Sequence, residues 1–423
     1  MNDRSVNYSR IAVTGIGAVT PLGNSVAESW QNLCAGVSGI DHTAGYDAAD
    51  FPVQISGEVG GFEPNTVFKG LPRRIYNDAR RQDRTHQYAL AAALEALAQS
   101  GLPLPLPEEL QFRCGVVSGN CLGGVTSVES ASQRTGRGEL SSFLPSEVLR
   151  IMPNAATALI AAAFRARGPN FTPSVACATG TIAMGEAMWM LQTDRADVVV
   201  ACGSDGVVVP TVTAVFAARG GPMSRRNDDP KHASQPADID RDGFVMGEGG
   251  AAMILEREAD AKARGAPILG YLVGYGCTNG TGGRTEPDGD GQVQTMKIAL
   301  EMAGVAPADI AAINPHMTST VIGDRVEAVA LREMFGDKPF VSATKSSTGH
   351  MLAAAGSFEA VACVKMLAEQ KVPATINTET IDPDCAGINY VLGKTIDAPL
   401  EFVLSNSFGF GDHNATLVFQ RAD

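Results

Sequence analysis

The stretch Val175-Ala-Cys-Ala-Thr-Gly180, a short apolar run turning sharply into a helix of small residues, recurs as Val341-Ser-Ala-Thr-Lys-Ser-Ser-Thr-Gly-His350. This recurrence limits the possible folds more than any other feature of the chain. Around the first copy the pattern predicts an opening strand at 10–17, helices near 25–33 and 85–98, and strands at 114–118, 174–176 and 198–202. Helices are expected at 155–164 and 181–193. After a charged helix at 256–264 the alternation restarts with a strand at 268–275 and a helix at 292–303. It continues with a strand at 310–313, a helix at 324–334, a strand at 340–342, a helix at 350–369 and closing strands at 402–405 and 416–419. Strands alternating with helices imply a mostly parallel sheet covered on both faces. Two such series imply a duplicated α/β unit, one half spanning 1–265 and the other 266–423, with the active site where they meet.

Composition excludes several classes. Apolar residues make up 44% of the 423 residues and charged ones 19%, the balance of a globular chain. The net charge of −13 argues against nonspecific nucleic-acid binding. No run of 18 uncharged apolar residues predicts a spanning helix. The first residues, Met1 to Arg10, lack an apolar signal core and lead into the opening strand, so a cytoplasmic protein is expected. The eight cysteines form no CxxC pair, which fits reduced thiols rather than disulfides or zinc. Gly15 and Gly17 suggest a dinucleotide turn, but Thr20 stands where a third glycine would fall.

Chemistry concentrates at three corners. Cys177 sits where a strand enters a helix, and the helix dipole with its unpaired amides favours a thiolate. The same amides can hold the oxygen of a tetrahedral intermediate. Only six histidines are present, and two of them, His316 in Asn-Pro-His-Met-Thr-Ser-Thr (314–320) and His350, lie on loops at predicted strand ends. His350 is expected to open its helix, whose dipole would keep it neutral and able to donate a proton to a carbonyl oxygen. Lys345, on the same turn, needs a buried anion, and Glu359 is the natural partner. The glycine-rich turn Ser405-Asn-Ser-Phe-Gly-Phe-Gly-Asp-His-Asn414 is expected to bring the Phe408 amide to the oxyanion, with the ring guarding the cysteine.

These residues, together with Val13-Thr-Gly-Ile-Gly-Ala-Val-Thr-Pro-Leu-Gly23, Asp240-Arg-Asp-Gly-Phe-Val-Met-Gly-Glu-Gly249 and Gly323-Asp-Arg-Val-Glu327, make the chain resemble the elongating β-ketoacyl-acyl-carrier-protein synthases. Those are the Cys-His-His condensing enzymes of the thiolase superfamily. The resemblance implies a thiolase-like duplicated five-layer αβαβα fold, usually a homodimer. It implies decarboxylative condensation of an acyl-Cys177 intermediate with malonyl-acyl-carrier protein, with His316 and His350 stabilising the enolate and Lys345 and Glu359 organising the site. It implies neither metal nor organic cofactor, and an acyl carrier protein as partner. Thr318, Thr320, Cys121, Phe410 and Met317 are expected to contact substrate. Arg219, in a cluster with Arg225, Arg226 and Lys231, is expected to meet the acidic carrier.

Three departures from the family pattern bear on substrate. Pro315 and Met317 flank His316, and Met317 replaces a glycine near the malonyl site. Asp412 and His413 replace Gly-Thr. Cys121 stands where a glycine lines the acyl pocket. They suggest a specialised fatty-acid or polyketide-type product. Two alternatives stay open: an acyltransferase without decarboxylation, and a synthase subunit paired with a chain-length-factor-like partner.

Overall fold

The computed structural model describes residues 10–281, 283 and 287–423. The first nine residues, expected to lead into the opening strand, lie outside the described residues.

In chain order the first series comprises strand β1 (Ile11–Val19), helices α1 (Val26–Cys34) and α2 (Arg84–Ser100), and strand β2 (Cys114–Gly119). Helix α3 (Ala155–Phe164), strand β3 (Asn170–Phe171), helix α4 (Thr179–Gln192) and strands β4 (Val198–Asp205) and β5 (Gly249–Arg257) complete it. The second series comprises strand β6 (Gly270–Asn279), helix α5 (Gly289–Ala303), strand β7 (Ile310–Asn314), helix α6 (Val321–Phe335) and strand β8 (Phe340–Val341). Helix α7 (Ala353–Glu369) and strands β9 (Asn389–Tyr390), β10 (Phe402–Gly409) and β11 (His413–Gln420) follow. Ser25 caps α1, its side chain accepting the Glu28 N–H.

The eleven strands lie in the order β9-β8-β7-β10-β11-β6-β1-β5-β4-β2-β3. Read outward from the centre, the two arms match. β1 and β6 each pair antiparallel with the last long strand of their own series, β5 and β11. Those strands pair antiparallel with β4 and β10, and parallel pairing follows to β2 and β7 and on to β3 and β8. Among the described residues, the strand ladders of the two arms are joined where Ile11, Ala12 and Val13 pair with Leu272, Tyr271 and Gly270.

Helices α4 and α7 pack on each other and on strands of both arms, forming a middle layer. α2 and α3 cover the outer face of one arm, α5 and α6 that of the other. Counted across, this is helix, sheet, helix, sheet, helix: the five-layer thiolase-like architecture. The middle core joins Val199, Met253 and Leu255 of one arm to Val403, Leu417 and Phe419 of the other around Met184, Met188, Phe358 and Val361. α4 and α7 approach so closely that only glycine fits at two crossing points. A Cβ on Gly180 would lie 2.2 Å from the Ala353 carbonyl oxygen, and one on Gly356 would lie 2.3 Å from Thr181 Oγ1. That contact brings the two helix starts, and the loops before them, into one place.

Three expectations need correction. Residues 174–176 form no strand beyond an isolated bridge between Val175 and Cys177, and the edge strand is Asn170–Phe171. Residues 256 and 257 end β5, and the charged helix is the shorter Glu258–Ala263. His350 does not open its helix. It lies before Leu352, the N-cap of α7, on an extended segment bridged to Met246, with its amide bonded to the Val245 carbonyl at 2.7 Å. Among the described residues, no single helix is long and apolar enough to cross a membrane.

Candidate active site

Cys177 stands at a tight corner between the Asn170–Phe171 edge and α4. Ala176 adopts φ +48°, a strained value for a residue with a side chain, and its carbonyl accepts from the Thr179 amide at 3.1 Å and the Thr179 hydroxyl at 2.6 Å. Those bonds hold the corner so that Cys177 faces a cavity. Leu352, before α7, has φ +50°, so both central helices are entered through a forced turn. Asp205, at the end of β4, accepts the Ala353 N–H at 2.9 Å and the Cys121 N–H at 3.1 Å, and the Cys121 thiol in turn donates to the Ala176 carbonyl.

The cavity has a volume of about 680 Å³. Cys177, His316 and His350 all line it, and their Sγ and ring-nitrogen atoms lie within 4.8 Å of one another. The two imidazoles meet edge to face with centroids 5.4 Å apart. The thiol comes from the first series and both imidazoles from the second.

Burial sets the protonation states. Burial pushes the Cys177 thiol up to about 11, outweighing the lowering by the Phe410 N–H, by Lys345 and by its own N–H. The expected thiolate-favouring shift is therefore reversed in the resting site: desolvation of the sulfur exceeds the pull of the helix start. Both histidines are held well below their ordinary value by burial and by the nearby Lys345 ammonium, with His350 adding to the effect on His316. They are neutral, through burial and a lysine rather than a helix dipole. Both nitrogens of His350 and Nδ1 of His316 are buried without a hydrogen-bond partner in the protein. A neutral imidazole has one N–H and one bare nitrogen, and an unpaired N–H on a ring that lines a cavity is suited to a substrate oxygen.

Lys345 and Glu359 form a fully buried ion pair behind the imidazoles and do not line the cavity. A residue absent from the expected set, Glu327, fixes the His316 loop. Its two carboxylate oxygens accept the His316 and Met317 amides at 2.8 and 2.7 Å, and Asn406 Nδ2 donates to it at 3.2 Å. Burial raises the Glu327 carboxyl to about 7 against those bonds. The signal was present in Gly323-Asp-Arg-Val-Glu327, where a carboxylate in the first turns of α6 can reach back to the preceding loop.

The hairpin β10–β11 needs a second correction. The amide that reaches the Cys177 sulfur belongs to Phe410, not Phe408. Phe408 is paired inside the ladder opposite Asn414, and its ring packs against His316 with centroids 6.3 Å apart. The Phe410 ring, 40% exposed, lines the cavity and stacks on Phe216.

Thr318 and Thr320 line the cavity with hydroxyls 3.1 Å apart, and Cys121 lines it too, its thiol donating to the Ala176 carbonyl. Met317 does not: its side chain turns into the core among residues of β7 and α6, so it reshapes the backbone's support rather than the pocket wall. Asp412 lines the cavity, whereas His413 does not. Arg219 is exposed beside the lining residues Gly220 and Gly221. Arg84 forms an ion pair with buried Glu248.

The sequence matches the family described as Beta-ketoacyl synthase, N-terminal domain over residues 8–261, and Beta-ketoacyl synthase, C-terminal domain over 269–379. It is 39% identical to a 3-oxoacyl-[acyl-carrier-protein] synthase 2 of Synechocystis, covering 99% of each chain. In structure it is similar to the ishigamide ketosynthase/chain length factor, with a TM-score of 0.90 and 29% identity over 98% of this chain and 100% of that one. It is also similar to AntDE:AntF, a type II PKS acyl-carrier protein in complex with its ketosynthase bound to the hexaketide. There the TM-score is 0.87 and the identity 28%, over 99% of this chain and 100% of the other. With matches to both family halves and near-complete coverage of its relatives, the chain belongs to the β-ketoacyl synthase family.

Proposed function

We propose that the protein condenses an acyl group, carried on Cys177, with malonyl-acyl-carrier protein to give a β-ketoacyl-carrier product, CO2 and free carrier thiol, in fatty-acid or polyketide biosynthesis. The observation that carries this is the meeting of one thiol and two neutral imidazoles within 4.8 Å in a single cavity. In the first half-reaction the Cys177 sulfur attacks the carrier thioester, and the carrier sulfur departs with the proton that the thiol gives up. The Cys177 and Phe410 amides face the oxygen of that intermediate. In the second, His316 and His350 donate to the malonyl thioester oxygen. The bond to the carboxylate breaks, CO2 leaves, and its electron pair passes into the enolate. The enolate carbon then attacks the acyl-Cys177 carbonyl, and the expelled thiolate takes a proton from water. Neutral imidazoles suit this role because they donate without neutralising the carboxylate that must leave. Lys345 and Glu359 act from behind by holding the charge balance, and Glu327 by positioning His316.

The two symmetric halves, 1–265 and 266–423, are read as contributing nucleophile and imidazoles respectively, in the cytoplasm. The acyl carrier protein docks beside Arg219 at the cavity mouth. The chain works as a dimer, homodimeric or paired with a chain-length-factor-like subunit. Leu140, Leu144, Val148 and Leu149, exposed by 67%, 59%, 52% and 52%, offer an apolar face for that pairing.

The test incubates the chain with acyl- and malonyl-carrier protein. It reads the mass added at Cys177 and labelled CO2 released from the malonyl carboxylate. Acylation with stoichiometric CO2 and a β-keto product is expected. Acylation with no CO2 would favour an acyltransferase instead.

A further inference from the structure

Cys121 follows the end of β2 and is tied into the nucleophile corner by all three of its polar groups. Its N–H donates to both carboxylate oxygens of Asp205, at 3.1 and 3.2 Å. Its carbonyl accepts the Ser174 hydroxyl at 3.3 Å, and its thiol donates to the Ala176 carbonyl at 3.1 Å. The loop thus grips the corner on either side of Val175. The Ala176 carbonyl has two other donors, the Thr179 amide and hydroxyl, but both belong to the turn that they close. The Cys121 thiol comes to it from outside. Through Asp205, which also accepts the Ala353 N–H, its loop is fixed to the end of β4 and the start of α7. The glycine of the family pattern could make the two backbone bonds at this position but not the third.

The Ala176 carbonyl and the Cys177 N–H belong to one planar trans peptide, so they point opposite ways and turn together. A donor fixed on that oxygen fixes the direction of the amide across from it. It also polarises the peptide, so that the amide donates more strongly. Ala176 needs such restraint, because a residue with a side chain keeps φ +48° only where its surroundings over-determine it. Burial, with Asp205 adding to it, holds the Cys121 thiol well above its ordinary value, so it keeps the proton it donates. We propose that Cys121 is a positioning residue, whose thiol acts through the Ala176 carbonyl to aim the Cys177 amide at the oxygen of the acyl-transfer intermediate. This deepens the proposed condensation and rests on it, since that amide is one of the two donors to the intermediate. Cys121 also lines the cavity, but a residue serving only as wall would act through its bulk and not through its proton.

Full-length wild type, Cys121→Ser, Cys121→Ala and Cys121→Gly are compared in the transfer of a butanoyl and a dodecanoyl group from acyl carrier protein to Cys177. Rapid-quench mass spectrometry gives the maximal rate and the half-saturating carrier concentration. A parallel arm alkylates Cys177 with iodoacetamide, a displacement that builds no oxyanion, and follows the Cys177 peptide. Loss of the thiol leaves the Ala176 carbonyl its two Thr179 donors, so no polar group is stranded. Cys121→Ala and Cys121→Gly should lower the maximal acylation rate about threefold to tenfold, the weight of one hydrogen bond. The loss should be equal for both chains, at unchanged half-saturation. Cys121→Ser keeps a donor and should stay within about twofold of wild type, as should alkylation in every variant. Cys121→Ser as slow as Cys121→Ala, or an effect that follows chain length or half-saturation, overturns the positioning role and leaves a pocket wall. Alkylation that falls along with acylation overturns it too, as a general loosening of the corner, and so do Cys121→Ala and Cys121→Gly at the wild-type rate. Wild-type protein that takes no acyl group at Cys177 overturns the condensation reading and this role with it.

Discussion

Gly409 is the residue through which the oxyanion site can be tested most directly. A Cβ there would lie 3.0 Å from the Cys177 nitrogen, 3.1 Å from the Ala178 nitrogen and 3.3 Å from the Val175 carbonyl oxygen. All three contacts are tighter than a methyl group tolerates, and all three partners are backbone, which cannot swing aside. In Gly409→Ala the hairpin must therefore retreat from the Cys177 corner by a few tenths of an ångström, carrying the adjacent Phe410 amide with it. The added methyl also covers the face of the Cys177 amide. Loss of one oxyanion donor costs about 3–4 kcal/mol, so acyl transfer to Cys177 should slow by about 100- to 1000-fold. None of the three atoms nearest that methyl belongs to His316 or His350, on which decarboxylation of malonyl-carrier protein relies, so that step should change by less than about fivefold. The assay pairs rapid-quench mass spectrometry of acyl-Cys177 with labelled CO2 release from unacylated protein. Acylation within fivefold of wild type would refute the placement of the donor amide. Equal loss of both activities would show that the substitution merely disrupts the fold.

Lys345→Met leaves the Glu359 carboxyl buried without its cation, and an uncompensated buried charge costs about 3–5 kcal/mol, read as a lower urea midpoint. Lys345→Met with Glu359→Gln should recover much of that stability but not the condensation rate; a double variant no more stable than the single one would contradict the pairing. Because both imidazoles titrate well below the usual histidine value of 6.5, their neutral, donating form persists as the medium is acidified. Malonyl decarboxylation should stay level from about pH 8 to about pH 6 and decline only below that; a midpoint at the ordinary histidine value would refute it.

Much of this was legible from residue order because small-residue turns and apolar runs are local signals. The corner at Cys177, helix 155–164 and the restart after residue 265 needed no tertiary knowledge. β5 escaped because Gly249-Gly-Ala-Ala-Met-Ile-Leu-Glu-Arg257 begins with glycines and ends in charges, and its strand character comes from pairing with β1 and β4. The Phe408 and Phe410 roles were exchanged for a related reason: residues two apart in a strand share a face, and only the hairpin's register decides which amide leaves the ladder. The sign of the Cys177 shift was out of reach, since a helix start is visible in sequence while the depth of desolvation is not. Met317 was misplaced because a substitution beside a catalytic loop says nothing about which way the side chain turns.

The three-pair seam between β1 and β6 has a consequence for how the enzyme comes into being. Strand β1 lies at the centre of the finished sheet and pairs there with β6, which is translated long after it. Until that neighbour and the two histidine loops have been synthesised and docked, the sulfur has no partners to work with. A chain that stops short of His350 lacks the three-group constellation on which carbon–carbon bond formation depends.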